Sequence, residues 1–484
     1  MRKRAHRFLL PSVASLLCLT LAFACGTQEV SIPDNFPPSD SSTGKDSATD
    51  GAVADTSVDT GPDAPDVVCP DVLPDDAKGV FVGTGGTNDV SCGTRAAPCK
   101  TVNVGITHAM AASKPNVYVS RGTYVEKVTL AGGIAVVGGW DVPAGSTKWR
   151  RTCVDPAQIV VIRAPAGQKV TVEARDLSAE PATLSLLRIE SKVAMAGAAS
   201  ESIYGLLAVG ATTAVVLENV HIEVGAAGAG TTPAKGAAGI GGALSCAAGV
   251  GGAGTAGPAG TGAAIGTFDS TGYVPATAIG GNLGTAGNNG VAGGAGLCIQ
   301  CGTCDTLLNF CALVPDPAQT CGKDGQPGCG GGPGAVGLPA TGGGSSIGIY
   351  AWDATVTVRG GKIKSGDAGA GGAGGAGGNG GAPTGAAVGT ASDACTSKCD
   401  VGALVCVETK TKAAGGAAGT AGGAGGNGGT GGGGGGGSSF ALYSGGIGVI
   451  STESNPTLGH GKAGAGGGVG AAAGASGAAA DHVP

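Results

Sequence analysis

Residues 370–381 constrain the fold more than any other stretch. They read Ala-Gly-Gly three times and then Asn-Gly-Gly. The same interval recurs in sparser form. Gly322, Gly325, Gly328, Gly331, Gly334 and Gly337 keep it, as do Gly284, Gly287, Gly290, Gly293 and Gly296, and again Gly461, Gly464, Gly467 and Gly470. A polyproline-II helix has three residues per turn and rises about 3.1 Å per residue, so such glycines stack in one bare row. A bare row lets a second backbone come close and pair its N–H and C=O groups. Collagen is one such solution, but these tracts are interrupted and proline, 25 of 484 residues, is not enriched. Two outcomes stay open: a bundle of glycine-rich polyproline-II helices, or a flexible coil. Ordering costs about 1–2 kcal/mol per residue, and most for glycine.

A conventional core can form only where Val, Ile and Leu cluster, which is mainly residues 80–224. Aromatic residues make up 3% of the chain, and much of its hydrophobic share is alanine, which buries little area. The net charge of -6 is against nucleic acid as a partner, because that contact needs clustered Lys and Arg. Sixteen cysteines point to an oxidising compartment.

Residues 1–24 have the layout of an export signal, with Arg2, Lys3, Arg4 and Arg7 ahead of an apolar run over 8–23. The run ends Leu21-Ala22-Phe23-Ala24-Cys25. This resembles the lipobox of bacterial lipoproteins, which implies that Cys25 is lipidated and becomes the new N-terminus. Ala22 and Phe23 depart from the usual pattern, and Ala-Phe-Ala also suits an ordinary cleavage site before a disulfide-bonded Cys25. Gly26 follows where an aspartate would favour retention in the inner membrane. The resemblance therefore implies the outer membrane or cell surface, reached through an N-terminal lipid anchor. Residues 25–78 then read as the attachment cysteine and an acidic linker, with Asp50, Asp55, Asp59, Asp63 and Asp66. Low hydrophobicity and like charge predict a disordered, extended spacer. Its aspartates lack the spacing of a calcium loop.

The folded part begins at residue 79. Val80-Phe81-Val82 reads as a strand, residues 102–112 as a short helix, and Asn116-Val117-Tyr118-Val119 as a strand. Residues 121–124 read as a turn, and 125–130 and 134–137 as strands. This order resembles the N-terminal cap of pectate-lyase-like right-handed parallel β-helices, in a bacterial surface family of unknown function. The matching residues are Val80-Phe81-Val82, Gly93-Thr94-Arg95-Ala96-Ala97-Pro98, Lys100-Thr101-Val102, Val117-Tyr118-Val119, Gly122-Thr123-Tyr124 and Gly138-Gly139. The family has an aromatic where Cys99 stands. The resemblance implies that Cys99 bonds to Cys92 instead.

Residues 159–162, 170–172, 184–189, 203–209 and 215–224 read as further strands, spaced as solenoid rungs would be. A repeat follows: a strand segment near 202–224, again near 346–363 and again near 439–450, each followed by glycine-rich sequence. The expectation is an all-β chain, a right-handed parallel β-helix with a small N-terminal cap. Glycine-rich polyproline-II-like or disordered excursions are inserted at equivalent corners and gather on one face. In outline, 1–24 is the signal, 25–78 the linker, 79–224 the cap and first rungs, and 225–484 the insertions with their interleaved rungs.

Fourteen cysteines are disulfide candidates: Cys69, Cys92, Cys99, Cys153, Cys246, Cys298, Cys301, Cys304, Cys311, Cys321, Cys329, Cys395, Cys399 and Cys406. They would staple the ends of tracts that lack a core, although their connectivity cannot be read. Cys298-x2-Cys301-x2-Cys304 has a metal-like spacing. In an exported chain the disulfide reading takes precedence, so no metal and no cofactor is expected.

Four histidines lie outside the signal, His108, His221, His460 and His482. They are scattered and form no ligand spacing. The solenoid carboxylates are Asp141, Asp155, Glu173, Asp176, Glu190, Glu218 and Glu223, with Arg121, Arg150, Arg151 and Arg175 as basic candidates. None matches the paired-acid pattern of a glycosidase or the acid–base pattern of a lyase. Trp140 and Trp149 read as cap packing. The expected function is a non-enzymatic, surface-exposed lipoprotein with a structural, adhesive or matrix-binding role, contacting extracellular polysaccharide or another surface protein. The alternative is a β-helix carbohydrate-binding protein or polysaccharide lyase or hydrolase.

Overall fold

The computed structural model describes residues 73–143, 146–152, 159–178, 180–305, 312–400, 407–468 and 472–484. Cys25, Cys69, Cys153, Asp155, Cys311 and Cys406 lie outside these residues, as do the side chains of Cys304 and Cys399.

Three parallel sheets wrap one core, and the chain visits them in rotation. The first face holds Gly79–Thr87, Asn116–Ser120, Ala135–Asp141, Ala182–Ser185, Ala214–Glu218, Thr355–Arg359 and Val449–Glu453. The second holds Gly122–Val125, Val160–Arg163, Arg188–Ser191, His221–Val224, Lys362–Lys364 and Thr457–Gly459. The third holds Val128–Thr129, Val170–Arg175, Ile203–Val209, Ser346–Trp352, Ser439–Gly445 and Ala479–Val483. This is a parallel β-helix. In-register pairing stacks like residues into columns: Ile162, Ile189, Ile222 and Ile363 on the second face, and Val172, Leu206, Ile349 and Leu442 on the third. All are buried, and each contributes about 1.5–3 kcal/mol.

The helix Val102–Ala111 buries Val102, Gly105, Ile106 and Ala109 against the first coil. Its N-terminus is held by the Glu126 carboxylate, which accepts from the amides of Val102 (2.7 Å) and Asn103 (3.1 Å).

Apolar runs that read as single strands turn a corner midway. Residues 184–189 divide at Leu186 and 215–224 at Asn219, where φ is 55° and 50°. Gly360 holds the equivalent corner one coil later, at 66°. A left-handed residue bends the backbone while the apolar alternation continues on both sides, so the run gives no local sign of the bend. Of residues 121–124, read as a turn, 122–124 belong instead to the strand Gly122–Val125, which pairs with Val160–Arg163.

All the glycine-rich excursions leave after a second-face strand, at residues 224, 364 and 459, and rejoin the third face at 346, 439 and 479. They are ordered. Residues 228–242, 251–263, 279–297, 322–344, 369–389, 414–437, 461–467 and 472–477 run as extended segments that bond to one another every third residue. Gly372, Gly375, Gly378 and Gly381 donate to the carbonyls of Thr341, Leu338, Ala335 and Gly332 at 2.8–3.0 Å. Gly425, Gly428, Gly431, Gly434 and Gly437 donate to Gly381, Gly378, Gly375, Gly372 and Gly369 at 2.8–2.9 Å. An interval of three between segments is the signature of polyproline-II helices packed side by side.

The number of glycines per triplet follows the number of packed sides. In residues 370–381, one glycine row (371, 374, 377, 380) faces the carbonyls of residues 434, 431, 428 and 425. The second row (372, 375, 378, 381) faces those of residues 231, 234, 237 and 240. The third row, Ala370, Ala373, Ala376 and Asn379, is exposed. Residues 431–437 are all glycine and all buried. Their α-carbons face Leu338, Thr341 and Gly344 on one side, Thr261 and Ala264 on a second, and Gly467 and Gly464 on a third. Their amides reach three further segments, through Gly375, Ile279 and Ala472 among others. No side chain fits in any direction.

Disulfides fasten the bundle. Cys298–Cys321 closes a hairpin, Cys301–Cys395 joins the first excursion to the second, and Cys246–Cys329 links segments of the first. Cys92–Cys99 lies in the cap. The first excursion also returns a hairpin, Thr267–Asp269 with Gly272–Val274, onto the outside of the third face. Phe268 there stacks on Tyr443 at 4.2 Å. Tyr273 donates its amide to the Tyr204 hydroxyl (2.7 Å), and the Tyr350 hydroxyl donates to the Asp269 carbonyl (2.6 Å).

Candidate functional site

The groove on the second face is built by register. Arg188-Ile189-Glu190, His221-Ile222-Glu223 and Lys362-Ile363-Lys364 pair strand to strand. Each isoleucine points inward and each flanking residue outward, as strand alternation requires. Arg188, His221, Lys362, Glu223 and Lys364 line a groove of about 270 Å³. Arg188 is fixed by two carboxylates, Glu190 at 3.0 Å and Glu223. Glu190 is buried and also takes Arg163 at 2.6 Å. Lys362 and Lys364 are exposed and have no ion-pair partner among the described residues. The next strand offers Thr457 and Gly459 at these positions, so the groove is open on that side.

A second groove, of about 440 Å³, lies beside the cap. Arg95, Arg121, Asp141, Ser120 and Thr84 line it, with Trp149 at its base. Arg121 pairs with Asp141 at 3.0 Å and Arg95 with Asp76 at 2.6 Å. Trp140 and Trp149 are buried with Phe81 and Tyr118, and Arg151 lies 4.5 Å over the Trp140 ring. Burial lowers the Arg151 pKa from its ordinary value. Nearby, Tyr124 donates to the Ser120 carbonyl at 2.8 Å, and burial pushes its hydroxyl up to about 12.

The other singled-out carboxylates are dispersed. Glu218 and Glu223 sit on different faces, separated by the Asn219 corner, and Glu218 pairs with Arg359 at 3.2 Å. Glu173 is on the third face with Lys127 at 2.5 Å and Arg175 at 3.4 Å. Asp176 holds a corner, with φ 47°. Arg150 pairs in the backbone register with Asp141. His108 lies 3.9 Å from the Cys92 sulfur and 3.1 Å from the Cys92 carbonyl oxygen. Cys92, Cys99 and His108 are near enough to share an ion only if the disulfide is reduced. His460 lies 4.0 Å from Asp481, and His482 is on the last third-face strand.

Arg188, Lys362 and Lys364 are absent from the candidates drawn from sequence. The signal for them is the recurring triplet of a polar residue, isoleucine and a polar residue. It acquires meaning only once three triplets separated in sequence lie side by side.

No family model and no curated protein matches the chain. Among solved structures, the pectin methylesterase from Aspergillus niger in deglycosylated form matches 37% of this chain and 64% of its own, at 15% identity and TM-score 0.19. The penultimately deglycosylated form of that protein matches 35% and 61%, at 16% identity and the same TM-score. The chain thus spans less than two thirds of either structure, and the fold assignment rests on the strand pairing described above.

Proposed function

We propose that the chain is a non-enzymatic surface protein, anchored through lipid on Cys25 at the outer membrane or cell surface, with a structural, adhesive or matrix-binding role. The observation that carries this reading is the packing of the excursions. A lattice of backbones bonded at every third residue is stiff, and its outer rows carry small side chains such as Ala370, Ala373 and Ala376. Such a lattice suits an extended contact surface fastened to a solenoid. The signal-like layout of residues 1–24 and the four disulfides among the described residues support a location outside the reducing cytosol. The acidic residues after Cys25 suit a spacer.

The second reading, a carbohydrate-binding or carbohydrate-cleaving β-helix, is favoured by the cap groove, where Arg95, Arg121, Asp141 and hydroxyl groups converge. One experiment separates the two. The purified chain is incubated with acidic polysaccharides, with calcium and then with EDTA, while binding to the same polymers on a solid support is followed. The surface-protein reading expects retention without turnover. Sustained turnover in either condition replaces it with the enzyme reading.

A further inference from the structure

We propose that the second-face groove binds a dianionic oxyanion, namely a phosphate group, free or as a sugar monoester. Four cations, Arg163, Arg188, Lys362 and Lys364, stand there or against its wall with two carboxylates, Glu190 and Glu223, in a chain whose net charge is -6. The local surplus of two positive charges matches one dianion. Lys362 and Lys364 lie two residues apart on one strand, about 6.6 Å, and Arg188 lies two strands away, about 9.6 Å. That spacing brackets one tetrahedral anion with a substituent and is too short for a chain of several charges.

The arginine is already oriented. Its Nε goes to Glu190 and its Nη2 to Glu223, which leaves Nη1 without a partner among the described residues. A guanidinium held in this way loses little freedom on taking a phosphate oxygen. The buried Glu190, shared with Arg163, fixes the position of that guanidinium. At the other end, Gly459 stands beside Lys364 in the register and has open space where a Cβ would be, so nothing covers the ammonium. Binding here is independent of where the chain resides and of what its glycine bundle contacts.

The test is isothermal titration calorimetry of the full-length chain at low ionic strength, where an exposed charge pair is least screened. The probes are inorganic phosphate, glucose 6-phosphate and glucuronate. Both phosphates are expected to bind, with glucuronate at least about tenfold weaker because it carries one charge. Lys362→Gln with Lys364→Gln should weaken phosphate binding at least about tenfold, and added salt should weaken it further. Lys235→Gln, an exposed lysine on the bundle bonded to Asn379, should change nothing. Circular dichroism checks that each variant is folded. Binding of inorganic phosphate alone assigns a free-anion site, and binding of both assigns a site open to esters. Wild-type affinity in the double variant, glucuronate bound as tightly as phosphate, or no phosphate binding would each overturn the proposal.

Discussion

The α-carbon of Gly434 lies against the carbonyl oxygen of Thr341 with no room for a methyl group between them. The same oxygen accepts from the Gly372 amide at 3.0 Å, and the Gly434 amide donates to the Gly372 carbonyl at 2.9 Å. Three segments therefore meet at one point through backbone alone. Gly434→Ala must push two of them apart and should cost about 3 kcal/mol, the upper end of overpacking penalties. Ala376→Ser, on the exposed row, should stay within about 0.5 kcal/mol. Urea unfolding monitored by circular dichroism compares them. Equal midpoints would show that the rows do not touch in solution.

Cys246–Cys329 spans 83 residues of sequence. A cross-link of that span constrains the unfolded chain, and a typical disulfide contributes about 2–4 kcal/mol. Replacing both cysteines with serine should lower stability by that amount. Reducing all the disulfides should weaken the polyproline-II band before the β-sheet band, since the solenoid has its own apolar core and the bundle has none. A bundle signal that survives full reduction at the same temperature contradicts this.

Acid should act at the corner where the first excursion leaves. Glu201 bonds to Lys192 at 2.5 Å, and their side chains are 15% and 8% exposed. Burial alone would raise the Glu201 pKa. The bonds from Lys192 and from the Ala198 amide outweigh it and hold the carboxyl below its usual value. The unfolded chain then takes up the proton first as pH falls. The stabilisation is complete above the unfolded pKa and is lost as pH drops through the folded one. Glu201→Gln should flatten that part of the pH–stability curve and cost about 3 kcal/mol at neutral pH, because Lys192 stays buried without a counter-charge. Denaturant midpoints measured between about pH 7 and about pH 3 read both effects.

Tyr204 ties the docked hairpin of the first excursion to the solenoid. Burial pushes its hydroxyl up to about 12, and the hydroxyl accepts the Tyr273 amide of the docked hairpin at 2.7 Å. Tyr204→Phe keeps the ring and leaves a buried amide unpaired, which costs about 1–3 kcal/mol. Hydrogen exchange at Tyr273 should accelerate while the amides of Leu206 and Leu207 stay protected. Unchanged exchange at Tyr273 would show that water replaces the hydroxyl.

Much of the solenoid was legible because its cues are local. Ile222 and Ile363 stand out as apolar positions between polar neighbours, and the repeat at 204, 347 and 440 marks successive coils. The corners at Leu186 and Asn219 were not legible, because one left-handed residue leaves no trace in an alternating pattern. The second-face groove was hidden for another reason. Arg188, His221 and Lys362 are neighbours only through parallel pairing, and a whole glycine excursion separates His221 from Lys362.

The glycine tracts divide most sharply. The sequence by itself narrowed their conformation to two outcomes, packed polyproline-II helices or a flexible coil, because an interval of three puts the glycines in bare rows wherever the chain turns once per three residues. It also determined that the single-row tract at 284–296, the double-row tract at 370–381 and the bare run at 431–437 differ in how many sides can be approached. Only the tertiary structure decided that those sides are filled. The carbonyls facing Gly432, Gly434 and Gly436 belong to Thr261, Thr341 and Gly464, from three different segments. They converge because every excursion leaves the solenoid at the same corner, and that shared exit depends on how the coils stack.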